Sequence, residues 1–145
     1  MTGITNPTEE YFKDGIWGWD GSRWRKLGLL FGYSDTVSGG VANDNASAGF
    51  NYLSSATVPS GEIWVIQAIS GSNVNTACSK IILLVRGSNL DCPILDQVSC
   101  TADVWVTWTG SVALKAGDCL RVYFYGCTAG DDIRLRYLGY KVSVA

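Results

Sequence analysis

No stretch of about twelve residues in this chain repeats its apolar side chains at a helical interval, so no long helix is expected. The apolar stretches are short and rich in Val, Ile, Trp and Tyr, and clusters of Gly, Ser, Asn and Asp separate them. With 17 Gly and only 3 Pro, the chain has many turn sites and few strand breakers. That pattern predicts an all-β sandwich. Strands are expected at Leu29–Tyr33 and at about 50–57, 62–70, 79–86, 104–114, 119–125 and 132–144. A short edge strand is read near Ile94–Val98, and 34–49 reads as a long loop of small and polar residues. Val58-Pro-Ser-Gly61 and Leu114-Lys-Ala-Gly-Asp118 each form a turn directly before a strand. Roughly eight antiparallel strands fit a jelly-roll β-sandwich of two packed sheets.

Alternation assigns faces. In 119–125, Leu120, Val122 and Phe124 share one face, and Arg121, Tyr123 and Tyr125 share the other. In 132–138, Ile133, Leu135 and Tyr137 oppose Arg134, Arg136 and Leu138. The apolar rows belong to the core. The two Arg/Tyr rows are either solvated or part of an interface or ligand site, because Tyr and Arg are enriched where proteins bind. The run Ile81-Ile-Leu-Leu-Val85 does not alternate, so its strand is central or covered by a neighbour.

Residues 1–14 are polar and read as an arm. After them, Asp20-Gly21 is a tight-turn signal between Trp17, Trp19 and Trp24. A small hairpin with three indoles on one side is expected, carrying local positive charge from Arg23, Arg25 and Lys26. This divides the chain into an arm and Trp-rich hairpin over 1–28 and a sandwich domain over 29–145. Exposed indoles need a cover, and three covers fit them: the body of the same subunit, a neighbouring subunit, or a stacked sugar.

The chain holds no His, which removes the commonest general base and the Ser-His-Asp and Cys-His arrangements. Phosphate-binding, nucleophile-elbow and dinucleotide motifs are also missing. No enzyme activity, cofactor or metal is expected. Five cysteines without a Cys-x-x-Cys pair read as buried free thiols, with Cys92–Cys100 and Cys119–Cys127 as the alternative disulfide pairings. Gly130-Asp131-Asp132 reads as a turn in which Asp bonds its own backbone, rather than as a calcium site. A net charge of −2 gives no general attraction to nucleic acid. No run of about 18 apolar residues spans a membrane, and Met1 to Asp14 carries no secretory pattern.

Two stretches carry a resemblance. Lys13-Asp-Gly-Ile-Trp-Gly-Trp-Asp-Gly-Ser-Arg-Trp-Arg-Lys-Leu27 with Leu30-Phe-Gly-Tyr-Ser34 resembles small proteins of tailed bacteriophages. Trp108-Thr-Gly-Ser-Val-Ala-Leu-Lys-Ala-Gly-Asp118, Arg121-Val-Tyr-Phe-Tyr-Gly126 and Thr128-Ala-Gly-Asp-Asp132 are similar to the same group. The Leu-x-x-Gly-Asp turn before a strand also resembles jelly rolls of the C1q and tumour-necrosis-factor type. The resemblance implies a non-enzymatic virion structural protein, in capsid decoration or a tail or neck, assembled in the bacterial cytoplasm. Its implied partners are copies of itself, as a homotrimer, and other virion proteins. The alternative is a receptor- or carbohydrate-binding module of a phage tail, with a glycan as partner.

Overall fold

The computed structural model describes residues 17–19, 22, 24–26 and 33–143, with the backbone alone at 17–19, 24–26, 33 and 34. The first two strands, β1 (Trp17–Trp19) and β2 (Trp24–Lys26), pair antiparallel with Trp19 opposite Trp24. The expected hairpin therefore forms. The common side of its indoles, the side chains of Arg23 and Arg25, the arm at 1–14 and residues 29–32 lie outside the described residues.

Eight further strands build the sandwich: β3 (Tyr33–Asn43), β4 (Gly49–Ser54), β5 (Glu62–Asn73), β6 (Cys78–Arg86), β7 (Asp91–Cys100), β8 (Val106–Lys115), β9 (Cys119–Cys127) and β10 (Ile133–Ser143). One sheet has the order β3-β10-β5-β8 and the other β4-β9-β6-β7, with every pair antiparallel. This is a jelly roll of two four-stranded sheets. Between β3 and β10, only β6 and β7 are both consecutive and paired; the other ladders join strands distant in sequence.

The core lies between the sheets. Ile66, Ile69, Leu114, Ile133 and Leu135 from one sheet meet Leu53, Ile81, Leu83, Leu120, Val122 and Phe124 from the other. Fully burying each such side chain contributes about 1.5–3 kcal/mol. Two glycines let side chains fit. A Cβ at Gly71 would sit 2.8 Å from Val122 Cγ1, so the second sheet packs directly on β5 backbone. At Gly139 a Cβ would lie 2.1 Å from the Val65 carbonyl oxygen, where the β10–β5 ladder shifts register between Leu138 and Gly139.

The structure corrects the expected loop over 34–49. Residues 33–43 are an edge strand registered against β10 along its whole length. Val37 is buried and Val41 packs on the core, but the inward position between them is Gly39. A Cβ there would stand 2.5 Å from the Tyr137 hydroxyl, so the ring that crosses this strand needs a glycine. Glycine at an inward position hides the alternation from a reading of side chains. The edge segment read near 94–98 is likewise longer, the ten-residue strand β7.

The two turns at Gly61 and Gly117 lie together. Val58 donates to the Asp118 carbonyl at 2.9 Å, and Gly117 donates to the Val58 carbonyl at 3.0 Å. Both glycines have positive φ, 80° and 91°. The expected turn at Asp131 also forms, with the carboxylate as its centre. Asp131 Oδ2 accepts from the Thr128 amide at 2.7 Å, Thr76 Oγ1 at 2.6 Å and Asn73 Nδ2 at 2.7 Å. The carboxylate thus ties the β9–β10 turn to the β5–β6 connection.

All five cysteines are free, and four are buried, as expected of small apolar residues; Cys92 is exposed. Neither alternative pairing is geometrically open. Cys92 and Cys100 lie on the same strand, as do Cys119 and Cys127. Eight residues of strand separate each pair by about 27 Å, far beyond disulfide reach. Burial pushes the thiols of Cys100 and Cys119 up, and burial beside Cys78 pushes Cys127 up to about 12, so these thiols stay protonated and unreactive.

Two outcomes test this packing. Gly139→Ala is expected to lower unfolding free energy by about 2–3 kcal/mol in urea titration, because the overlapping atom is backbone. Gly49→Ala, with positive φ and open space around it, is expected to cost only about 1 kcal/mol. Asp131 gives the second. Burial raises its pKa, but the hydrogen bonds from Thr76, Asn73 and Thr128 outweigh that and hold it below the ordinary range. A carboxylate with a lowered folded pKa adds stability above its unfolded value of about 3.9, and that stability is lost as pH falls through the folded value. Asp131→Asn is expected to lower stability at neutral pH and to flatten this acid limb, read as melting temperature against pH.

Candidate functional site

Strand β9 sits between β4 and β6, so its inward row is core and its outward row is the middle of an exposed sheet face. Arg121, Tyr123 and Tyr125 share that outward row, as expected. Register places Tyr52 of β4 opposite Tyr123, and Ser54 opposite Arg121. Phe50, two residues before Tyr52, completes the row on β4. The result is an aromatic surface on the outside of the sandwich. Phe50 is 49% exposed and Tyr52 55%, with Tyr123 and Tyr125 half-buried behind them.

The rings form one contiguous group. Phe50 stands 5.2 Å from Tyr123 and 5.0 Å from Tyr125 between ring centroids, and Tyr52 stands 6.4 Å from both Phe50 and Tyr123. Such spacings and tilts are those of attractive aromatic pairs. Cations lie on two rings: Arg121 Cζ is 4.6 Å from the Tyr52 centroid and Lys80 Nζ is 5.6 Å from that of Tyr125.

Hydrogen bonds hold the polar groups in place. The Tyr123 hydroxyl donates to Asp91 Oδ2, and Arg86 Nη1 donates to Asp91 Oδ1 at 2.8 Å. The Tyr123 bond, then the Arg86 bond, holds the Asp91 carboxyl below its usual range. The same bond to Asp91 pushes the Tyr123 phenol up. Arg121 Nε donates to Ser54 Oγ at 2.8 Å. Beneath these groups Leu84 is fully buried on the outward side of β6, between Arg121 and Pro93 of the neighbouring strands. A central strand with a covered outer face explains why Ile81–Val85 does not alternate.

The other expected arginines are elsewhere. Strands β9 and β10 belong to different sheets, so their polar rows face opposite sides of the sandwich and form no single surface. Arg134 pairs with Asp132 at 2.6 Å. Arg136 lines a shallow depression of about 340 Å³ with Ser38, Ala68, Ser70 and Leu138, on the outer face of the first sheet. A second concavity of about 410 Å³ opens between the edge strands β7 and β8, with Gln97, Thr101 and the exposed indole of Trp105 on its walls. Among the described residues no group of three or more His, Cys, Asp or Glu could hold a metal ion.

Reading the sequence missed Phe50, Tyr52 and Trp105. The first two had a local signal, because Phe50, Tyr52 and Ser54 alternate with the buried Leu53. Their neighbourhood with Tyr123 had none, since the pairing joins residues some seventy positions apart. Trp105 falls at the start of the strand expected over 104–114, but β8 begins at Val106 and leaves the indole in the connection ahead of it.

No family model matches this sequence, and no curated protein matches it. Among solved structures, the chain is similar to the C-terminal domain of EclA, described as a sugar-binding protein, at 15% identity and a TM-score of 0.36. That likeness covers 93% of this chain and 97% of the other. It is also similar to a chain described as "CBM4 structure and function", at 16% identity and a TM-score of 0.30, over 72% of this chain and 82% of the other.

Proposed function

We propose that this jelly roll is a non-catalytic carbohydrate-binding module whose site is the face of Phe50, Tyr52, Tyr123, Tyr125 and Arg121. The observation that carries the reading is the half-exposure of Phe50 and Tyr52 on the edge strand β4, beside the charged and hydroxyl groups of the same sheet face. A pyranose has one apolar face of C–H bonds and a rim of hydroxyls. The aromatic rings offer π faces with negative charge density for the first. Arg121, Lys80, Ser54 and Asp96 supply donors and acceptors for the second. Because Asp91 already accepts from Arg86 and Tyr123, it acts as a fixed anchor rather than as an acid–base group.

A second reading is assembly. The bacteriophage resemblance implies a virion component, and Tyr- and Arg-rich faces suit subunit contacts. Val98 on the edge strand β7 and Leu90 just before it are also exposed. On this reading the occupant of the aromatic face is a second copy of the chain.

A glycan array followed by titration calorimetry separates the two. Tyr52→Ala and Phe50→Ala are each expected to weaken saccharide binding about tenfold or more. Trp105→Ala, at the other edge of the sandwich, is expected to retain it. Absence of saccharide binding, together with a multimer by light scattering that Tyr52→Ala dissociates, would sink the sugar reading and favour assembly.

A further inference from the structure

Counting charges on the aromatic face narrows the ligand class. Three cations lie there. Arg86 is paired with Asp91 at 2.8 Å and Lys80 with Asp96 at 3.6 Å. Arg121 makes no salt bridge within 4 Å: Ser54 Oγ takes its Nε–H, its guanidinium lies over the Tyr52 ring, and it also interacts with the Tyr123 hydroxyl and, at longer range, with the Asp91 carboxylate. The nearest acid, Asp91, is already engaged on Oδ1 by Arg86 and on Oδ2 by Tyr123. Among the described residues of this face, three cations therefore stand against two carboxylates, an excess of one positive charge in a chain whose net charge is −2. The Arg121 guanidinium is also oriented, because a hydrogen bond holds one side of the fork and a ring supports its plane.

Resting on the carbohydrate reading, we infer that the site selects acidic saccharides, those whose pyranoside units carry a carboxylate. A uronate ring stacked on Phe50 or the free side of Tyr52 presents its carboxylate at the ring edge, next to the position Arg121 holds. A planar guanidinium meets a carboxylate through two parallel N–H···O bonds, and such charge-assisted bonds are roughly twice as strong as neutral ones. Neutral sugars gain only the stacking and leave the guanidinium to water.

The test uses the whole chain and uronate oligosaccharides, of galacturonate, glucuronate and mannuronate, each compared with its methyl ester. Esterification removes the charge and leaves the stacking faces intact. The acidic forms are expected to bind about tenfold or more tightly than their esters. That advantage is expected to shrink as salt rises from about 0.05 to 0.5 M, while ester binding changes little. Arg121→Gln is expected to remove the preference, and Arg121→Lys to keep only part of it, since Lys retains charge without the fork. Ser54→Ala, which frees the guanidinium without touching its charge, is expected to reduce the preference in a fold checked by circular dichroism. Equal affinity for acid and ester, or a preference unchanged in Arg121→Gln, overturns the inference and leaves the carbohydrate reading standing. Binding of neutral glycans alone does the same. Failure to bind any saccharide overturns both.

Discussion

The inward row of β9 determines where the aromatic face can be. Leu120, Val122 and Phe124 are fully buried, and a one-residue slip of this strand would place Arg121, Tyr123 and Tyr125 in the core instead. The cost of burying a guanidinium and two phenols without partners forbids that register. Its neighbours are constrained in the same way, by Leu53 on β4 and by Ile81 and Leu83 on β6. The outward residues of all three strands are thus aligned by what their inward partners bury. The aromatic face is assembled by the core, and it needs no loop to order it.

That face is also stiff. Tyr123 is pinned at its hydroxyl by Asp91, Asp91 is pinned by Arg86, and Arg121 is pinned by Ser54. Each restraint removes side-chain freedom that a ligand would otherwise have to freeze, which raises affinity without adding a contact. The opposed pKa shifts of Asp91 and Tyr123 share one hydrogen bond, in which the phenol O–H donates to the carboxylate and so favours both the anionic carboxylate and the protonated phenol. The arrangement therefore keeps its protonation state across neutral pH, so on the carbohydrate reading recognition does not switch there.

Much of this was legible in the sequence, and the gaps have physical causes. The faces of 119–125 and 132–138 follow from period two alone, and Arg121, Tyr123 and Tyr125 were identified that way. The turns at Gly61 and Gly117 follow from residue types that accept positive φ. What alternation cannot supply is partnership between strands. Except for β6 and β7, every ladder between β3 and β10 closes a long loop, so local pattern carries no information on the neighbours of β9. For that reason the sequence does not reveal Tyr52 as a neighbour of Tyr123, nor that the rows of β9 and β10 face opposite sides of the sandwich. Strand β3 was lost differently: Gly39 is an inward residue whose side chain is supplied by another strand, through Tyr137.

A sheet face and an edge cleft impose different demands on a ligand. The cleft beside Trp105 has walls on two strands and accepts a group that enters it. The face carrying Phe50 and Tyr52 is the outside of a sheet, and its two exposed rings lie 6.4 Å apart along β4. A ligand on it is held from one side and remains open at both ends. On the carbohydrate reading this geometry favours contact along the middle of a chain over capture of its terminus. Repeated units then present the same face to the site at many positions, so a weak single contact is multiplied along one polymer. On the same reading, an excess of one positive charge suits that arrangement, because it would bias a repeated weak contact toward acidic chains without making any single contact tight.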